Sequence, residues 1–68
     1  MRIDQIKWER ISETLERGQI GNVLITKDTN QGRDTYNIRL VGSNFVSDKW
    51  LDLDPAAAQC VLYELFPA

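Results

Sequence analysis

The stretch of sequence that decides the fold class is DPAAAQCVLYELFP, residues 54–67. Asp54 followed by Pro55 predicts the start of a helix, because the aspartate side chain can accept hydrogen bonds from the first free N–H groups and proline suits the first turn. Pro67 predicts its end. The residues at helical spacing that form the predicted inward stripe are Ala58, Val61, Leu62 and Leu65.

The sequence before this helix predicts three strands. Residues 19–27 are rich in branched side chains, and residues 35–41 alternate, with Tyr36, Ile38 and Leu40 inward. Residues 28–34 between them suit a hairpin loop. After a turn at residues 42–44, residues 45–53 predict a third strand with Leu51 and Leu53 inward.

Residues 4–17 predict a first helix, because Trp8, Ile11 and Leu15 fall on one helical face and Gly18 is a typical stop signal. The predicted fold is therefore a single α+β domain over residues 1–68, with the order α-β-β-β-α. In the simplest arrangement, a three-stranded antiparallel meander has both helices packed on one face.

Composition favours a globular protein in a reducing cytoplasm. Of the 68 residues, 43% are apolar and 26% charged, which is typical of a folded domain rather than a disordered one. Cys60 is the one cysteine, so no internal disulfide can form. No run approaches the ~18 apolar residues of a membrane span, and the first residues lack a signal-peptide pattern. We therefore expect a cytoplasmic protein.

The side chains that most catalytic sites need are missing. The chain has no histidine, and Cys60 consequently has no histidine to activate it. The spacing Asp28-x-Asn30-x-Gly32 resembles a calcium loop only in part, since Arg33 and Arg39 stand where glycine and a bidentate glutamate are needed. The sequence predicts no enzymatic activity, no cofactor and no metal site.

Two surfaces are candidates for binding. On the sheet face away from the helices, strand alternation predicts an outward set that consists of Asn37, Arg39, Val41, Val46 and Trp50, and the candidate binding residues among them are Asn37, Arg39, Val46 and Trp50. Tryptophan and arginine are enriched at binding hot spots, although Arg39 stacked on Trp50 is an equally simple structural pair.

The last helix carries a second apolar stripe, formed by Ala56, Cys60, Tyr63 and Phe66. A helix that is apolar nearly all round is normally covered on both sides, and so short a domain leaves little chain to cover it. This stripe predicts a homodimer or partner interface. The alternative is that residues 1–6 or the first helix fold over it.

Two family resemblances bear on nucleic acid. The helix–three strands–helix order resembles double-stranded-RNA-binding domains, but the second helix lacks their lysine-rich start. Residues 36–39 together with residues 50–54 resemble the strand, strand and helix half of the Whirly-like coactivators. That resemblance implies binding of single-stranded DNA through Arg39 and Trp50. The net charge of −2 disfavours a nucleic-acid partner.

The sequence favours a non-enzymatic protein-interaction module, a small cytoplasmic regulator or inhibitor that occupies the surface of a protein partner. A short frame without a catalytic set is typical of regulators that phages and mobile elements encode. The alternatives are a single-stranded nucleic-acid-binding protein that uses the outer sheet face, and a structural subunit of a larger assembly.

Overall fold

Four antiparallel strands form one sheet in chain order, and a single α-helix follows them. A computed structural model describes residues 1–42 and 48–67. The strands are β1 (Glu9–Arg10), β2 (Leu15–Ile20), β3 (Val23–Asn30) and β4 (Arg33–Leu40), and the helix is α1 (Pro55–Leu65). Short 3₁₀ helices cover Ile3–Gln5 and Asp48–Trp50. The α+β class predicted from the sequence is confirmed, with one more strand and one α-helix fewer than predicted.

Two-residue turns set the register of the sheet. Gly21, with φ +58°, begins the turn that pairs Ile20 with Val23, and Gln31 and Gly32 form the turn that pairs Asn30 with Arg33. Both central residues of the second turn have positive φ, the type I′ pattern whose twist matches the flanking strands. β3 and β4 therefore pair along their full length, and the hairpin loop predicted over residues 28–34 is only two residues long.

The core lies between α1 and one face of the sheet. Ile25, Ile38 and Leu62 are completely buried, and Ala58 and Val61 of α1 pack in the same cluster. The predicted inward stripe of the last helix is confirmed, since Leu65 also packs against this cluster. Asp54 caps α1, its side chain accepting a hydrogen bond from the Ala57 N–H at 2.7 Å.

The predicted helix over residues 4–17 is wrong. The segment forms most of a 3₁₀ turn and strand β1, and it contributes the first three residues of β2. The signals for a helix are the helical spacing of Trp8, Ile11 and Leu15 and the stop at Gly18. Pairing of β2 with β3 through the Gly21 turn overrides such local preferences. The predicted strand over residues 19–27 is divided for the same reason, because the turn interrupts it.

The predicted third strand over residues 45–53 is not formed in its described part. Residues 48–50 are 3₁₀ helical. In the described part of this segment, backbone pairing with the sheet is limited to Leu53 and Tyr36, which exchange two hydrogen bonds of 2.8 and 2.9 Å. Leu53 packs on the core as predicted, whereas Leu51 is 40% exposed rather than inward. Residues 43–47, the start of that predicted strand, lie outside the described residues.

Within residues 1–42 and 48–67, no helix combines the length and apolar character needed to cross a membrane.

Candidate functional site

The sheet face turned away from α1 is covered by no other helix or strand of the described chain. We call it the outer sheet face. Its residues alternate with the buried ones along β2, β3 and β4, because successive side chains of a strand point to opposite sides. They are Leu15, Arg17, Gln19, Leu24, Thr26, Asp28, Asn30, Arg33, Thr35, Asn37 and Arg39. An uncovered antiparallel face is normal, so its function depends on what these side chains offer.

One half of the outer sheet face holds a depression of about 360 Å³. It is lined by Leu24, Thr26, Asn37 and Arg39, and Leu51 closes its side next to β4. Two leucine side chains therefore stand beside a guanidinium group. A partner that buried this depression would gain both apolar contact and charge-assisted hydrogen bonds.

A second depression, of about 480 Å³, lies further along the same two strands. It is lined by Asp28, Asn30, Arg33, Thr35 and Asp52, with Gln31 at the turn. Its lining is polar and contains two carboxylates against one arginine. The first depression, in contrast, contains Arg39 as its single charged residue.

Asp52 has an unusual backbone conformation and is hydrogen-bonded to β4. Its φ is +54°, a left-handed conformation, and its backbone N–H donates to Asn37 Oδ1 at 2.7 Å. Aspartate tolerates this conformation better than most residues do. The hydrogen bond fixes residues 51 and 52 beside β4, where each lines one of the two depressions.

The three arginines of the outer sheet face are balanced by Asp28 together with Glu9 of β1 and Asp52, which lie at its edges, but these charges are only partly paired. Arg17 forms an ion pair with Glu9, its neighbour on β1, at 3.6 Å. Among the described residues, Arg33, Arg39, Asp28 and Asp52 have no ion-pair partner. Two positive and two negative groups therefore remain available to a binding partner.

The structure brings together only part of the site predicted on this face. Asn37 and Arg39 line the first depression. Trp50 does not join them, because it is half-buried and packs against the core cluster, with its Nε1 shielded from solvent. Lys49 Nζ lies 5.9 Å from the Trp50 ring, so the cation beside it is not Arg39. Val46 lies outside the described residues.

The predicted stripe on the last helix is largely exposed. Ala56 and Cys60 face solvent, and Tyr63 is 53% exposed. Phe66 departs from the prediction, since it packs against the core cluster. Residues 1–6 lie over α1 at Gln59, whose side chain bonds Met1 and Ile3, and they leave Tyr63 exposed.

Of the residues on the outer sheet face, sequence reasoning placed only Asn37 and Arg39. The prediction gives Leu24 and Thr26 in one continuous strand without a facing, although their alternation with the buried Val23 and Ile25 could have placed them, and it puts Asp28 in the hairpin loop. Leu51 and Asp52 had no comparable signal. Their position depends on the backbone bridge between Leu53 and Tyr36, which no local pattern specifies.

No group of three metal-ligating side chains lies close enough to hold a metal ion anywhere in the described residues. The chain matches no protein-family model, no curated protein and no solved structure.

Proposed function

We propose that the chain is a non-enzymatic protein-interaction module, a small regulator or inhibitor that acts by occupying the surface of a protein partner. The observation that supports this most directly is the uncovered outer sheet face. It combines the exposed Leu51 and the half-buried Leu24 with Arg39, which has no ion-pair partner among the described residues. Apolar contact next to a directional charged group is the usual make-up of a protein–protein hot spot.

The composition of the outer sheet face favours protein over nucleic acid. Single-stranded nucleic acid is bound by aromatic side chains on which bases stack, within a positively charged groove. The described part of this face presents no aromatic side chain, since Trp50 packs on the core. Its three arginines are matched by Asp28 on the face and by Glu9 and Asp52 at its edges. Phosphate contact would therefore have little net charge to draw on.

Affinity capture from the cells that naturally make the protein tests the proposal. The wild-type chain is compared with Leu51→Asp and Arg39→Glu, which alter the outer sheet face, and with Arg2→Glu, a charge reversal on the helix side. We expect a protein to co-purify with the wild type and with Arg2→Glu, and to be lost with both face variants. Purified partner and chain should then bind directly in calorimetry.

Two results would contradict the proposal. One is a co-purified protein that the face variants retain as well as the wild type does. The other is recovery of oligonucleotide alone, with binding that weakens steeply as salt rises. Tyr63→Lys, on the exposed side of α1, serves as a parallel variant that reports whether the last helix contributes to the same contact.

A further inference from the structure

The two depressions of the outer sheet face are complementary in charge. The first carries Arg39 as its single charged residue, and the second carries Asp28 and Asp52 against Arg33. They lie side by side along β3 and β4. Consider a two-fold axis that lies in the plane of the sheet and runs across the strands. Rotation by 180° about this axis places the first depression of one copy over the second depression of the other copy. A two-fold interface requires such self-complementarity, because each contact of residue i with residue j of the partner is repeated as a contact of j with i.

We infer that the outer sheet face binds the outer sheet face of a second copy, giving a two-fold dimer in which Arg39 of each copy lies against Asp28 and Asp52 of the other. This inference rests on the proposed function, since it names a second copy of the chain as a protein that the outer sheet face binds. A different partner would compete with that copy for the same face. It also supplies partners for charges that have none among the described residues. The leucines at positions 24 and 51 then lose contact with water.

The size of the chain supports a second copy as the occupant. A domain of 68 residues buries a smaller fraction of its surface than a larger one does, so association adds stability that the monomer lacks. A standard interface covers about 800 Å² on each partner. That area is about a sixth of the 4897 Å² that the chain exposes.

A charge-swap experiment tests the dimer. Arg39→Glu places a third carboxyl group against Asp28 and Asp52 at both symmetry-related contacts, and Asp28→Lys places a second cation against Arg39 there. Each variant alone should weaken dimerisation by at least about tenfold, as sedimentation velocity measures it, because like charges across an interface are strongly unfavourable. An equal mixture of the two variants should restore much of the lost dimer, since the new glutamate at position 39 then meets the new lysine at position 28 and the second contact keeps its wild-type charges.

Two reversals on the opposite layer serve as matched controls. Arg2→Glu and Glu64→Lys make the same changes in net charge at exposed positions next to or on α1, and they should leave the dimer unchanged. Circular dichroism establishes that all four variants fold. Both swapped positions lie within strands, and neither side chain is buried.

Three outcomes would overturn the inference: a wild-type chain that is monomeric throughout the micromolar range, a dimer that persists in both single variants, or a mixture that fails to reassociate. A dimer lost in Tyr63→Lys and retained in the swap variants would place the contact on α1 instead. The proposed function fails separately, through capture experiments in which the face variants still bind the partner.

Discussion

Ile6 lies directly on Gly18, so closely that a Cβ atom on Gly18 would collide with the Cγ2 methyl of Ile6. Two ring atoms of Trp8 lie 3.5 and 3.6 Å from the position that this Cβ atom would take. The missing side chain in the middle of β2 thus allows residues 6–8 to cover the sheet. Ile6 is 6% exposed as a result and belongs to the core cluster.

Gly18→Ala should lower the free energy of unfolding by about 1–3 kcal/mol, the usual cost of forcing an extra carbon into a filled space. The measurement is urea denaturation followed by circular dichroism. In an Ile6→Ala background, which removes the colliding methyl, the same substitution should cost much less. Equal costs in the two backgrounds would show that Ile6 and Gly18 are not in the contact described here.

The same glycine shows why part of the fold could not be predicted from the sequence. After Leu15 and Arg17 a glycine is a typical helix end, and its actual role depends on Ile6, which is distant in the chain. The last helix was predictable because its signals are local, with Asp54 capping its first turn. Arg39 was placed on the outer sheet face by strand alternation alone. Leu51 was not, because its position follows from the bridge of Leu53 to Tyr36.

Gln31 is expected to lower the free energy of unfolding. It has φ +54° in the two-residue turn between β3 and β4, where glycine or asparagine is preferred. Gln31→Asn should therefore raise the free energy of unfolding by roughly 0.5–1 kcal/mol, since asparagine adopts the left-handed region more readily. Thermal denaturation of the two proteins measures the difference.

At Gly32, the second residue of this turn, a substitution should lower stability instead of raising it. Its φ is +76° and no heavy atom lies within 4 Å of a Cβ built there, so Gly32→Ala adds backbone strain without a steric clash. It should destabilise the protein by about 1 kcal/mol. A stabilising Gly32→Ala, or a destabilising Gln31→Asn, would be inconsistent with the turn geometry.

Gln59 fastens the first residues of the chain to α1. Its Oε1 accepts a hydrogen bond from the Ile3 N–H at 2.7 Å, and its Nε2 donates to the Met1 carbonyl at 2.6 Å. Gln59→Ala should remove both bonds and cost about 1–2 kcal/mol, because partly buried backbone groups lose their partners. Hydrogen exchange of the Ile3 amide should accelerate strongly.

Gln59→Glu separates the two bonds, since it keeps the acceptor for Ile3 and loses the donor for Met1. Its effect on Ile3 exchange should consequently be smaller than that of Gln59→Ala. Glu64→Ala, at an exposed position of the same helix, is the matched control and should leave the Ile3 amide protected. Unchanged exchange in Gln59→Ala would mean that this side chain does not hold the segment.

Tyr36 should make stability depend on alkaline pH. Burial raises the pKa of its hydroxyl above the ordinary value near 10, and the carboxylates of Asp34 and Glu16 raise it further. As pH rises, the unfolded chain loses this proton before the folded chain does, so the folded state binds more protons. The contribution of Tyr36 is therefore fully present below about pH 10 and is lost as pH rises above that value.

Urea denaturation from neutral to alkaline pH should show stability falling over this range, and Tyr36→Phe should make the fall shallower. Tyr63→Phe, which changes an exposed tyrosine and leaves Tyr36 in place, should retain the wild-type slope. A Tyr36→Phe protein whose stability declines as steeply as the wild type would show that the buried hydroxyl is not the group responsible.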